Sequence, residues 1–458
     1  MTRLWSGLWC WLALAGCGGS QPPPGPTTPS IARTPQAPEL EDRGSTAEPH
    51  DGRRRPATRE ERDVLERLAN AAESVRLLRF QVPIEIEIED DVAIAGSLRE
   101  QIDAEELERA HLLYGALGLL DPKADLEEMF AAVLGEQVIG YYDPKESRLV
   151  IREDIIHGLR GRLGPNDAEE ARLVLVHELV HALQDQRLGL AESYDVDRTA
   201  DADNAFRAVI EGDATLAMLG NTLRAQGIPL SAATQGIQQM GNLVNANAFV
   251  QGEKLDDAPA IIRVTLVAPY LRGLQFIAAV YSVGGWPSVN RAHRRPPVST
   301  EQILHPDKYF EGEPAEAFEV APISVLDAAG FERIAEDTLG ELELAVYLGQ
   351  GQAGDVDEAA AAGWAGDHLA LYTRGDRAAV VWWTTWDTEE DAIVAERAAA
   401  RVSPENNGSW VLRDGRALLI VRGLPPRHRT PVRRSFERFA RDINGTPPPP
   451  ERRTQLRN

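Results

Sequence analysis

The residues best placed to do chemistry in this chain are His177-Glu178-Leu179-Val180-His181. Two histidines four apart on a helix stand one turn above the other on a single face. Both imidazoles would reach one tetrahedral metal ion, zinc by preference, with Glu178 beside them as general base for a water on that metal. The competing reading is a buried amphipathic helix whose histidines are satisfied by ordinary hydrogen bonds. The stretch from Ala168 to Leu188 carries Leu173, Val174, Val176, Val180 and Leu183, a broad apolar surface that calls for deep burial. Buried imidazoles need partners, and a metal would satisfy both. Asn166, followed three residues later by Glu169, reads as a capping-box start for this helix.

A catalytic zinc usually takes three protein ligands and leaves one position for water. The extended pattern H-E-x-x-H-x-x-G-x-x-H is excluded, because Gln184 and Arg187 stand where its Gly and second-turn His belong. A second helix is expected from about Asp201 to Gly220, and its middle reads Glu211-Gly212-Asp213-Ala214-Thr215. Glu211 is the expected third ligand, with Asp213 as the alternative. Glycine inside a helix costs about 1 kcal/mol relative to Ala, so Gly212 predicts a close approach, here to the His177–His181 helix. Peptide hydrolysis would also need a donor for the tetrahedral oxyanion. His305, Tyr281 and Tyr270 are the candidates, with Tyr141 and Tyr142 behind them. Asp185, one turn after His181, is the candidate to orient that imidazole.

The elements that must position these groups follow from patterning. A helix is expected from Thr58 through Arg79, and Val82 to Glu89 alternates as a half-buried strand with one wet face. Helices follow over Glu105–Leu119 and Asp125–Leu134. Val138–Tyr142 and Arg148–Arg152 flank the turn-rich Asp143–Ser147 and read as a hairpin, whose edge would suit an extended peptide. From about Ile323 a smaller unit begins, with short strands at Leu369–Tyr372, Ala379–Trp383, Trp410–Leu412 and Ala417–Val421. Glu389–Arg401 is the helix between them. Trp382, Trp383, Trp386 and Trp410 are expected in its core rather than on a binding surface.

With 458 residues, 43% hydrophobic and 26% charged, the chain has ample material for a large core and a smaller second unit. Its net charge of −23 argues against nucleic acid as a partner. At the start, Arg3 precedes an apolar run from Leu4 to Ala15, and Leu14-Ala15-Gly16-Cys17 resembles a bacterial lipobox. Residues 1–16 are then a signal peptide and Cys17 the acylated first residue of the mature chain. That uses both cysteines, Cys10 and Cys17, and leaves no disulfide. Residues 17–57 read as a Pro-rich tether, 58–322 and 323–444 as the two folded units, and 445–458 as a disordered tail. The expected address is the bacterial cell envelope through a lipid anchor, at the outer membrane where the cell has one.

His177–His181 followed by a helix bearing Glu211-Gly212-Asp213-Ala214 resembles the glutamate zincins, the thermolysin-like class of zinc metallopeptidases. More closely, the chain is similar to a group of bacterial secreted proteins predicted to be such peptidases. The shared blocks are 140–144 (GYYDP), 177–186 (HELVHALQDQ), 211–215 (EGDAT), 296–309 (PPVSTEQILHPDKY), 363–368 (GWAGDH) and 386–388 (WDT). The resemblance implies an α+β fold: a mainly helical zincin-like core with a small antiparallel sheet, plus a smaller C-terminal α/β unit. It implies one zinc per chain on His177, His181 and Glu211, Glu178 as base, and a peptide or protein substrate. Two other classes fit the same motif: a catalytically silent envelope lipoprotein acting as a binding or assembly factor, and a zinc amidase on cell-wall peptides. Glu178 argues against the silent class, since a structural zinc has no use for a base. A structural site would also be closed by a fourth ligand, usually Cys, and none remains.

Overall fold

A computed structural model describes residues 52–100, 102–162, 164–194, 196–239, 253–320, 322–352, 354–405 and 408–445. The expected signal peptide, Cys17, the tether up to residue 51 and the tail beyond residue 445 lie outside the described residues. The architecture is α+β, with helices around two sheets.

The chain enters through strand β1 (Arg54–Pro56) and helix α1 (Arg59–Arg76), then strand β2 (Glu85–Glu89). Thr58 starts α1 with a full capping box: its hydroxyl accepts from the Glu61 backbone, and the Glu61 carboxylate accepts from the Thr58 backbone. Three helices follow, α2 (Asp91–Glu100), α3 (Ala104–Leu117) and α4 (Leu126–Gln137). Then come β3 (Gly140–Asp143) and β4 (Arg148–Arg152), the expected hairpin. The sheet order is β1-β2-β4-β3, with β2–β4 parallel and the other two pairs antiparallel. A parallel pair needs a long crossover, and α2 to α4 supply it. The order leaves β3 at an edge.

Two expectations fail here. Arg54–Pro56 belongs to the sheet rather than to a tether, because Arg54 lies 3.4 Å from Glu89 and Arg55 2.9 Å from Glu61. The acidic face of β2 is correspondingly not wet throughout: Glu89 is fully buried and accepts from Ser97 of α2, a helix the patterning did not signal.

The metal-motif helix is α5 (Pro165–Leu188). Its N-cap is Gly164 with Pro165 in the first turn, so Asn166 sits inside the helix rather than capping it. Proline preset to helical φ, lacking an N–H that would be unpaired anyway, makes the start instead. Helix α6 (Ala200–Ala225) begins at Thr199, whose hydroxyl accepts from Ala202 N, and α7 (Leu230–Gln239) follows. Helix α8 (Ala260–Arg294) is broken by non-helical backbone at Gly284 and Gly285. It is long and apolar enough to cross a membrane, yet 67% of its apolar window is buried inside the protein. It packs along α6, where a Cβ on Gly212 would stand 2.2 Å from the Gly273 carbonyl. The close approach that Gly212 predicted is therefore to α8, not to α5.

Short helices α9 (Thr300–Leu304) and α10 (Pro306–Glu311) lead to β5 (Glu332–Asp337) and α11 (Gly340–Gly349). Then come β6 (Trp364–Arg374), β7 (Arg377–Trp386), α12 (Glu389–Val402), β8 (Trp410–Asp414), β9 (Ala417–Arg422) and α13 (Arg429–Gly445). The five strands form an antiparallel sheet in the order β5-β6-β7-β9-β8. Period-two alternation along β7 sends Trp382 into the main core, shared with Leu175, Leu274 and Leu344. Trp383 faces the other way, into a second cluster with Trp410 and Phe436 of α13. Trp382, Trp383, Trp386 and Trp410 are all buried, as expected of core.

This sheet also anchors α6. Ala200 N donates to Asp337 Oδ1 (2.9 Å) and Asp201 N to the Thr338 carbonyl (3.0 Å). The Asp201 carboxylate in turn accepts from Thr300 N (2.7 Å).

Candidate metal centre

Helix α5 brings His177 and His181 together as its 3.6-residue period requires: their rings meet edge-on with centroids 4.7 Å apart. Helix α6 crosses α5 and delivers Glu211, whose Oε2 lies 3.0 Å from His177 Nε2 and 3.4 Å from His181 Nε2. One carboxylate oxygen thus faces both ligand-type nitrogens. Donor atoms of His177, Glu178 and His181 also lie within 4.8 Å of one another. Glu178 is held differently, since its Oε2 accepts from Tyr142 N of β3 at 2.8 Å while its buried Oε1 has no hydrogen-bond partner. A buried carboxyl oxygen with no partner is costly, and this one lies beside the two imidazoles.

The electrostatics agree with a site for a cation. Burial pushes the Glu178 carboxyl up to about 8. Burial would push Glu211 the same way, but the two imidazoles outweigh it and hold the carboxyl down at about 2. Burial depresses His177. It opposes the charged form of His181 as well, yet the Glu211 and Glu178 carboxylates raise that imidazole to about 9. Glu211 and His181 thus each hold the other in its charged form, while burial keeps His177 neutral. Two nitrogens and one carboxylate oxygen form a donor set suited to zinc with a position left for water.

The other candidates divide. Tyr270 of α8 lies against His177, ring centroids 5.9 Å apart and nearly parallel. Tyr281 instead packs edge-on against Trp286, and His305, at the α9–α10 junction, pairs with the buried Glu341 at 3.0 Å. Asp185 does not orient His181. It accepts from the Tyr142 phenol (2.7 Å) and from Ala191 N (2.9 Å), tying β3 to the end of α5. The residue at His181 Nδ1 is Gln184, 2.9 Å away. Asp213 is not a third ligand: it pairs with Arg76 (2.6 Å), His293 (2.8 Å) and Gln184 (3.0 Å). Gln184 was within reach of sequence reasoning, being three residues after His181 and so on the same helix face. Arg76 and His293 gave no local signal.

A second acidic group, Glu301, Glu313 and Asp387, has a different explanation. The Lys308 ammonium lies 2.6, 2.9 and 2.7 Å from their carboxylates and already holds the place between them that a cation would take. Within it Asp387 joins the 386–388 block to the 296–309 block. Asp367 of the 363–368 block is likewise structural, accepting from Leu339 N and Gly340 N at the start of α11 and from the indoles of Trp364 and Trp382.

Residues 327–430 match a family described as a domain of unknown function (DUF8575). That match covers the C-terminal sheet and not the metal motif. No curated protein and no solved structure matches the chain.

Proposed function

We propose that this protein is a zinc-dependent peptidase, with His177, His181 and Glu211 as metal ligands and Glu178 as general base. The observation that carries the reading is the meeting of Glu211 Oε2 with both imidazole Nε2 atoms, beside a buried Glu178 oxygen that has no partner. A zinc ion bound there would polarise a carbonyl and make water a stronger acid.

The chain's own residues supply the rest. Glu178 is fixed through Oε2 by the Tyr142 N–H, which leaves Oε1 to take a proton from the attacking water and to hand it to the departing amine. Its buried setting raises its proton affinity, as a base that must hold and then release a proton requires. Tyr270, against His177, is the phenol best situated to donate to the developing oxyanion. Strand β3, at the edge of its sheet and bonded to Glu178 through Tyr142, offers an extended substrate a border beside the base. With this reading goes a lipid-anchored envelope address through Cys17.

The test is metal content together with hydrolysis of a mixed peptide pool, on wild type, Glu178→Gln and Glu211→Ala. Wild type and Glu178→Gln should both hold about one zinc, with hydrolysis only in wild type. Glu211→Ala should lose metal affinity by about 10-fold or more. Wild-type protein that binds no zinc refutes the reading; zinc-loaded wild type that cleaves no peptide favours the silent envelope factor.

A further inference from the structure

We infer that Gln184 is a positioning residue which, backed by Asp213, fixes which nitrogen of His181 is presented to the metal. The inference rests on the zinc reading above and concerns residues that the motif does not include.

The argument is one of donors and acceptors. The Gln184 amide nitrogen lies 3.0 Å from the Ile210 carbonyl and 3.0 Å from Asp213 Oδ2. A carbonyl and a carboxylate can only accept, so the nitrogen of this amide must face them and its oxygen must face the other way. That oxygen lies 2.9 Å from His181 Nδ1. An amide oxygen cannot donate, so Nδ1 carries a proton, and Nε2, facing Glu211, is the nitrogen that would be given over to a metal. Asp213 and the Ile210 carbonyl of α6 thus act on His181 Nδ1 through the Gln184 amide, without touching that nitrogen themselves.

Asp213 is held in turn. Arg76 Nε donates to its Oδ1 at 2.6 Å, and His293 Nε2 lies 2.8 Å from its Oδ2. A second Arg76 nitrogen donates to Asn290 Oδ1 at 2.6 Å, and the Trp286 ring lies 4.5 Å under the guanidinium. Trp286, Asn290 and His293 all follow the Gly284–Gly285 break in α8, which turns that last segment onto the pair. Arg76, Asp213 and Gln184 are each fully buried. Burying an ion pair brings little stability compared with apolar packing of the same volume. Here the pair holds Asp213 beside the Ile210 carbonyl, so that two acceptors together face the Gln184 NH2.

The experiment measures zinc affinity by chelator competition on full-length wild type, Gln184→Met and Asp213→Asn, with circular dichroism to confirm folding. Methionine keeps the length but offers His181 no acceptor. Asparagine can present its NH2 to Gln184, leaving only the Ile210 carbonyl to hold the amide in the orientation that faces its oxygen to His181. Gln184→Met should bind zinc about 10- to 100-fold more weakly than wild type, and Asp213→Asn should weaken it in the same direction. In the zinc-loaded wild type the His181 Hδ1 should give a downfield, slowly exchanging proton resonance, which Gln184→Met should lose. Where Gln184→Met does not fold, Asp213→Asn and the wild-type resonance decide. Folded variants with wild-type affinity overturn the inference while leaving the zinc reading intact; wild type that binds no zinc removes both.

Discussion

Replacing Gly212 by Ala sets two effects against each other, and the structure decides the sign. In an isolated helix the change stabilises by about 0.5–1 kcal/mol, because alanine loses less backbone entropy on folding. In this protein the added Cβ would stand 2.2 Å from the Gly273 carbonyl carbon and oxygen, and a Cβ on Gly273 would stand 2.2 Å from the Ala208 carbonyl. Ordinary contact begins near 3.4 Å, so α6 and α8 must part by roughly 1 Å, and backbone against backbone has no rotamer to yield. Overpacking of this kind costs about 1–3 kcal/mol and occasionally more, which outweighs the propensity gain. Glu211 precedes Gly212, so the same shift changes the 3.0 and 3.4 Å spacing of its carboxylate to the imidazoles and should weaken metal binding. The assay is urea unfolding of the metal-free protein, read at constant slope, beside zinc competition. Gly115→Ala in α3 serves as control, because a Cβ there meets nothing within 4 Å and should stabilise. Gly212→Ala as stable as Gly115→Ala, with unchanged zinc affinity, would refute the close-crossing argument.

Arg76→Met should destabilise by about 3–5 kcal/mol, since it leaves the Asp213 carboxylate buried without its guanidinium partner; a loss under ~1 kcal/mol in denaturant unfolding would contradict this. Tyr270→Phe should lower turnover by about 10- to 100-fold with KM and zinc content little changed; equal turnover would remove Tyr270 from the oxyanion role. Burial pushes the Glu343 carboxyl from its usual 4.5 up to about 8, with Tyr114 and Asn204 as its hydrogen-bond donors. The folded state then binds the proton more tightly than the unfolded chain, so stability is fullest below about 4.5 and falls as pH rises to about 8. Glu343→Gln should flatten that decline, and an unaltered pH profile of unfolding would place its cause elsewhere.

Much of the centre was legible because its logic is local. His177, Glu178 and His181 belong together through one turn of helix, and Gln184 lies on the same face, inside the 177–186 block but outside the two-histidine motif. Glu211 was reached by asking what a three-ligand site still lacked. Asp213 shows the limit: two residues away and chemically equivalent, it could be assigned only once Arg76 and His293 were seen to claim it. His305 and Tyr281 were plausible by residue type and fell away because their partners, Glu341 and Trp286, lie on segments whose proximity no pattern announces.

Short-range pattern sets the repertoire: a two-histidine helix with a carboxylate beside it, a glutamate-bearing helix after it, a hairpin before it and a tryptophan-rich sheet at the end. Those follow from periodicity and turn chemistry, which act over a few residues. Tertiary structure decided which carboxylate meets the imidazoles, which tyrosine lies on His177, and that Gly212 serves α8. Those outcomes depend on helix crossings and buried charge pairs between residues up to 137 positions apart, such as Arg76 and Asp213. Pairing in a low-dielectric interior is settled by the whole core at once, and so no single stretch of chain encodes it.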